Sequence, residues 1–174
     1  MQNKSNESGR TMLEMLGVLA IMGVIMYGAI AGIGFGVNMY KINASFNDLE
    51  ELSQGIIDLY SWTSQYPSNP TDIEDAVEDN GVLSGATFLE TGIQGQFGGS
   101  TMYVRTTGDR SRFAIEYRGL PEMACSRLVH MSYANMMPVP DGQDGSSFPD
   151  VDPAWSACAS SCNADEPYFC LLSR

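Results

Sequence analysis

Histidine occurs once in this chain of 174 residues, Lys and Arg together nine times, and cysteine four times. The lone histidine, His130, follows Cys125 by five residues on an expected helix and reads as a packing or surface residue, and no glycine-rich phosphate loop follows a strand, so enzymatic activity is not expected. Nine basic residues face 21 acidic ones, for a net charge of −12. A protein that covers phosphates needs the Lys/Arg surface that counterion release draws on, so nucleic acid is not an expected partner. Four cysteines are too few for a mini-protein held together by staples, while 44% hydrophobic residues are too many for a disordered chain. The length fits one domain of ordinary size.

Charge is scarcest between Met15 and Tyr40, 26 residues whose only titratable groups are tyrosine hydroxyls. Within it, Met15 to Val37 is 23 residues of unbroken apolar or glycine character, without proline. That exceeds the ~7 to 15 residues of a signal-peptide core and reaches the ~20 that a helix needs to cross hydrocarbon. A membrane-spanning helix is expected. Lys4 and Arg10 precede the span and only Lys41 follows it closely, which places the rest of the chain outside the cytoplasm. The rival is a cleaved secretion signal, for which Ala29-Ile30-Ala31 offers a small-residue site. Six glycines fall in the span; Gly28-x-x-x-Gly32 suits a close helix contact, yet each glycine also costs about 0.8 to 1 kcal/mol of helicity. Residues 28 to 36 are therefore expected to loosen when the helix exchanges lipid for protein neighbours.

The acids follow the span. Ten lie between Ile42 and Val104, with no Lys or Arg among them. Ile42, Phe46, Leu49, Leu52, Ile56 and Leu59 or Tyr60 recur at steps of three or four, so the helix should continue with one apolar face until Pro67 ends it. A helix over residues 10 to 65 would run roughly 84 Å at ~1.5 Å per residue. Thr71-Asp72-Ile73-Glu74 has the form of a capping box opening a short helix to about Glu78, and Asn80-Gly81 turns the chain. Thr101 to Thr106 and Arg112 to Arg118 flank Thr107-Gly108-Asp109-Arg110 as an antiparallel hairpin. Pro121 opens a helix to about Ala134, and Tyr168 to Leu172 is a last strand. The expected fold class is α+β.

One residue does not suit a simple anchor: Glu14, a carboxylate at the edge of the apolar run, where burial in lipid is costly without a partner. It stands in Gly9-Arg10-Thr11-Met12-Leu13-Glu14-Met15-Leu16, with the glycine five positions before it. This string resembles the processing site of type IV prepilins, most nearly the type IVb pilins that include bundlin and the thin conjugative pilus subunits. Gln96-Phe97-Gly98-Gly99 before a strand, Arg118-Gly119-Leu120-Pro121-Glu122-Met123-Ala124-Cys125 leading into a helix, and Cys162 followed by Tyr168-Phe169 extend the resemblance along the chain. Arg10 departs from the family, whose mature chains usually begin with Phe, Met or Leu.

The resemblance implies a type IV pilin fold, a long helical spine with a disulfide-stapled antiparallel head. It divides the chain into a leader peptide (1–9), a membrane and filament-core half-helix (10–40), an amphipathic half-helix (41–66) and a globular head (67–174). A prepilin peptidase would cut between Gly9 and Arg10 and methylate the new Arg10 amine. Glu14 would receive the amine of a neighbouring subunit inside an apolar bundle. Losing one member of such a pair costs on the order of 3 to 5 kcal/mol while its net stabilisation is small, which makes it a device for register. Implied partners are further copies in a homopolymer, the peptidase, and the assembly platform and motor of the inner membrane. The head would be periplasmic before assembly and extracellular after it. A pseudopilin of a type II secretion system, a minor pilin, or a membrane-anchored binding domain that never polymerises are the alternatives.

Cys125, Cys158, Cys162 and Cys170 all fall on the outer side of the expected membrane, where disulfides are the default and three connectivities exist. The resemblance implies Cys125 to Cys162, which leaves Cys158 to Cys170; Cys125 to Cys158 with Cys162 to Cys170 stays open. Zinc would need paired C-x-x-C clips that the spacing does not offer. Asp141, Asp144, Asp150 and Asp152 lie in a Gly/Ser/Pro-rich loop that could offer oxygens to calcium, but their spacing is not that of an EF-hand, and a solvated loop is expected. No metal or cofactor is expected.

Overall fold

The computed structural model describes residues 6–107, 110–143, 158–163 and 165–173, with side chains from residue 12 onward except that of Pro70. The chain divides into two compact units, residues 1–40 and 41–174.

Helix α1 (Asn6–Tyr60) belongs to both units. In the first unit it is helical through all six glycines of the span, and a Cβ on any of them would meet nothing within 4 Å. Its large apolar side chains point outward: Leu13 is 74% exposed, Val24 74%, Tyr27 79% and Ile30 72%. Mean hydropathy reaches 2.2 over an 18-residue window of this helix. An exposed apolar surface this extensive is stable only in lipid or against other protein.

In the second unit the same helix buries one face. Ile42, Ser45, Leu49, Leu52, Ser53 and Ile56 are inaccessible, at the spacing expected of an amphipathic helix. Phe46 and Leu59 are half-buried rather than core. The helix stops at Tyr60, five residues before the expected Gln65. Two hydroxyls account for this, since Ser61 Oγ donates to Asp58 O and Thr63 Oγ1 donates to Tyr60 O, both at 2.9 Å, and occupy carbonyls at the helix end.

Helix α2 (Pro70–Asp79) corrects the expected capping box. Its N-cap is Asn69, Pro70 fills the first turn where no amide is needed, and Thr71 is already inside. Glu74 does not fold back on the cap; its two oxygens accept the backbone amides of Gly92 at 3.0 Å and Val104 at 3.2 Å. The helix closes as the sequence indicates. Gly81, at φ 62°, lets the amides of Gly81 and Val82 bond the carbonyls of Glu78 and Val77.

Five antiparallel strands form one sheet in the order β1-β2-β3-β5-β4. They are β1 (Ile93–Gln94), β2 (Thr101–Thr106), β3 (Phe113–Arg118), β4 (Met136–Pro138) and β5 (Tyr168–Ser173). The hairpin β2–β3 pairs Thr101 with Arg118 and Thr106 with Phe113, and β5 pairs Tyr117 with Phe169. Helix α3 (Glu122–Val129) lies between β3 and β4 in the chain and ends before the expected Ala134. The amides of His130 and Met131 bond back to Arg127 and Leu128. Tyr133 then turns inward, 3% exposed, and donates its hydroxyl to Leu128 O at 3.1 Å.

Candidate functional site: assembly helix and disulfide-bonded head

The residues expected to direct processing and assembly lie on the first unit. Gly9 and Arg10 are in the opening turns of α1. Glu14 is exposed one turn later, beside the outward Leu13, Met15 and Leu16.

The four cysteines come together in the head. Cys125 of α3 is bonded to Cys162, and Cys158 is bonded to Cys170 of β5, each pair 5.5 Å apart at Cα. Both bridges therefore hold the segment 158–162, one to a helix and one to an inner strand. Sequence separations of 37 and 12 correspond to about 3 to 4 kcal/mol apiece in a chain-entropy description. Hydrogen bonds secure the same segment: Gly142 N to Ser160 O at 2.9 Å, Ser160 N to Gln143 O at 3.1 Å, and Ser161 N to Tyr168 O at 2.9 Å. Cys158 and Cys170 pack with Ala114, Val139 and Leu172 in a small apolar cluster.

Asp141 is exposed, and its Oδ1 accepts the amide of Cys162 at 2.8 Å, so this carboxylate anchors a disulfide. Asp144, Asp150 and Asp152 lie outside the described residues. Among the described residues no three His, Cys, Asp or Glu side chains group as metal ligands. His130 is exposed, its Nδ1 2.7 Å from Ser126 O, at the end of α3.

Sequence reasoning passed over two parts of the head. Glu116, 2% exposed in the middle of β3, lies between Arg105, whose Nε is 2.8 Å from Oε2, and Arg118, whose Nε is 2.7 Å from Oε1. The Arg118 guanidinium lies 5.9 Å from the ring centres of both Tyr103 and Tyr168. Two cations and the rings supply what a buried carboxylate needs. The signal was one acid inside the otherwise apolar run Phe113-Ala114-Ile115-Glu116-Tyr117. The second is Tyr117, whose hydroxyl lies 3.1 Å from Ser45 Oγ and accepts Gln96 N at 3.1 Å. It ties α1, the Gln96-Phe97-Gly98-Gly99 turn and β3 at one buried point.

No family model matches the chain. The toxin coregulated pilin of Vibrio cholerae serotype O1 is 24% identical over 146 residues, 82% of this chain and 65% of that protein. A second toxin coregulated pilin of Vibrio cholerae is 23% identical over 139 residues, 78% of this chain and 62% of the other. The chain thus spans less than two thirds of the length of these relatives. The long N-terminal helix, the antiparallel sheet and the two disulfides, together with this similarity, fit an α+β type IV pilin fold.

Proposed function

We propose that this chain is a type IVb prepilin whose mature form is a structural subunit of an extracellular type IV pilus. The observation that carries the reading is the first unit: from Met15 to Tyr40 an apolar helix surface exposed on nearly every side, with the carboxylate of Glu14 at its edge. Such a helix can rest in the inner membrane as a monomer and exchange lipid for the helices of other subunits in a filament. A prepilin peptidase cuts between Gly9 and Arg10 and methylates the Arg10 amine. Glu14 of one subunit then pairs with the amine of its neighbour and fixes axial register. The assembly platform and motor of the inner membrane extract the subunit, and the head faces the periplasm before assembly and the medium after it. The role is structural rather than enzymatic.

Mass spectrometry of the mature chain tests the processing step. A chain starting at Arg10 with a methylated amine is expected; a start at Met1 or after Ala31 would overturn the reading. Glu14→Leu should leave processing intact and remove filaments from the sheared surface fraction. Normal filament yield from that variant would refute the pairing.

A further inference from the structure

Trp62 is 93% exposed, the most exposed of the large apolar side chains described. It is nonetheless held in a defined place. Ser61 and Thr63 on either side of it are bonded by both hydroxyl and amide to the end of α1: Ser61 to Asp58 O, and Thr63 to Tyr60 O. The indole therefore stands on a turn fixed at both shoulders. It borders an open concavity of about 550 Å³ lined further by Tyr60, Tyr66, Gln65, Ser64 and Arg110.

The floor of this concavity is built from the core outward. Tyr66 meets Phe113 of β3 edge-on at 5.2 Å and Tyr60 edge-on at 5.6 Å, and its amide donates to Arg110 O at 2.9 Å. Arg110 is the one described non-glycine residue with positive φ, 58°, and its guanidinium donates to Gln65 Oε1. A strained backbone held in place by its surroundings is a common mark of a working site. Here the strain accompanies the reach of a hairpin residue to the loop that carries the indole.

We propose that this concavity is a binding site for a neutral saccharide. A pyranose ring presents one face of C–H groups and a rim of hydroxyls. The Trp62 indole and Tyr60 ring offer π faces to the first, and the Ser64 hydroxyl and the Arg110 N–H groups not given to Gln65 offer hydrogen bonds to the second. A purely apolar occupant would cover the Ser64 hydroxyl and the outer N–H groups of Arg110 without replacing their water, which is costly. An acidic sugar would meet a head that carries 19 acids against 7 basic residues from position 38 onward, and its one local cation is already given to Gln65. This inference does not depend on polymerisation; it holds for a subunit or for a solitary anchored domain.

The test uses the full chain in a detergent without a sugar headgroup. Titration calorimetry with the methyl glycosides of glucose, galactose and N-acetylglucosamine, and with their tetrasaccharides, should give saturable binding to at least one series. Affinity in the roughly millimolar range is expected for single rings. Trp62→Ala should weaken it by about tenfold or more, the loss of one stacked ring, and leave thermal unfolding unchanged because the side chain is 93% exposed. In a Trp155→Phe background, where Trp62 is the only tryptophan, its fluorescence should shift saturably with the same midpoint. No saturable heat with any probe, or equal affinity in Trp62→Ala, would overturn the proposal. So would protection of Trp62 from acrylamide quenching in assembled filaments without sugar, since a neighbouring copy would then fill the place.

Discussion

The two units of this chain solve opposite problems with the same residue types. In the first, Leu13, Val24 and Ile30 are about three-quarters exposed; in the second, Leu49, Leu52 and Ile56 on a later stretch of the same helix are wholly buried. The head satisfies itself. Among the described residues every buried side-chain nitrogen or oxygen has a hydrogen-bond partner, and every cysteine is bonded. The first unit satisfies nothing internally, so its sequence answers to surroundings supplied by other molecules. Leu and Ile in the two places carry different constraints: volume and shape in the head, apolar character and outer surface in the span.

Paired substitutions break or sharpen that contrast. Ile115→Ala, at a wholly buried site in β3, should lower head stability by about 2 to 5 kcal/mol through lost transfer energy and a cavity, read by thermal unfolding. Ile30→Ala, at 72% exposure, should leave that transition where it is and lower only filament yield. An equal loss of head stability from both would erase the distinction. Next in size, Cys162→Ser should destabilise the head by about 2 to 4 kcal/mol and increase proteolysis near residues 158–163, with α1 helicity in the span unaffected by circular dichroism.

Glycine sharpens the comparison on a smaller scale. A Cβ on Gly55 would collide with Val82, whereas one on Gly32 would meet nothing within 4 Å. Gly55→Ala should cost about 1 to 3 kcal/mol from overpacking. Gly32→Ala should leave head unfolding unchanged and raise span helicity. The smallest effect concerns Tyr133, whose hydroxyl pKa is raised above the usual 10.0 by burial and then by Glu50. A raised folded-state pKa gives stability that is complete below the unfolded value and lost as pH climbs toward the folded one. Tyr133→Phe should therefore cost about 1 kcal/mol at neutral pH, from the lost bond to Leu128, with the gap from wild type shrinking above about pH 10. A constant gap between pH 8 and 12 would show that this phenol does not drive alkaline unfolding.

The long elements were legible because their patterns are long. The apolar run 15–37, the three-and-four spacing from Ile42 and the two flanks of Thr107-Gly108-Asp109-Arg110 each repeat often enough to outweigh a single misfit residue. The short elements were not. Strands β1 and β4 have two and three residues, one of them Pro138, and exist only because β2 and β5 offer edges to pair with. Ends were misjudged where side chains overrode local signals. Ser61 and Thr63 closed α1 ahead of Pro67, Asn69 displaced Thr71 as a cap, and a buried Tyr133 cut α3 short. Glu74 looked like a capping residue and instead holds two distant amides, a use that no local window contains. At the candidate assembly segment, Gly9 and Glu14 stood out because a carboxylate breaks an apolar run. Trp62 drew no notice because exposure is invisible in a sequence.

The strand order carries a consequence for biogenesis. Strand β5 is the last of the described strands to leave the ribosome, yet it lies inside the sheet, between β3 and β4, and bears Cys170. Until it arrives, β3 and β4 each expose an unpaired edge, and Cys158 lacks its bonding partner. The sheet therefore completes only once residue 173 has been made, and closure of the Cys158–Cys170 bridge marks a chain extended at least as far as β5. Oxidation of that pair thus serves as a record that the sheet's inner strand is in place, and a chain stalled before β5 would present open sheet edges and a free thiol, a species prone to aggregation.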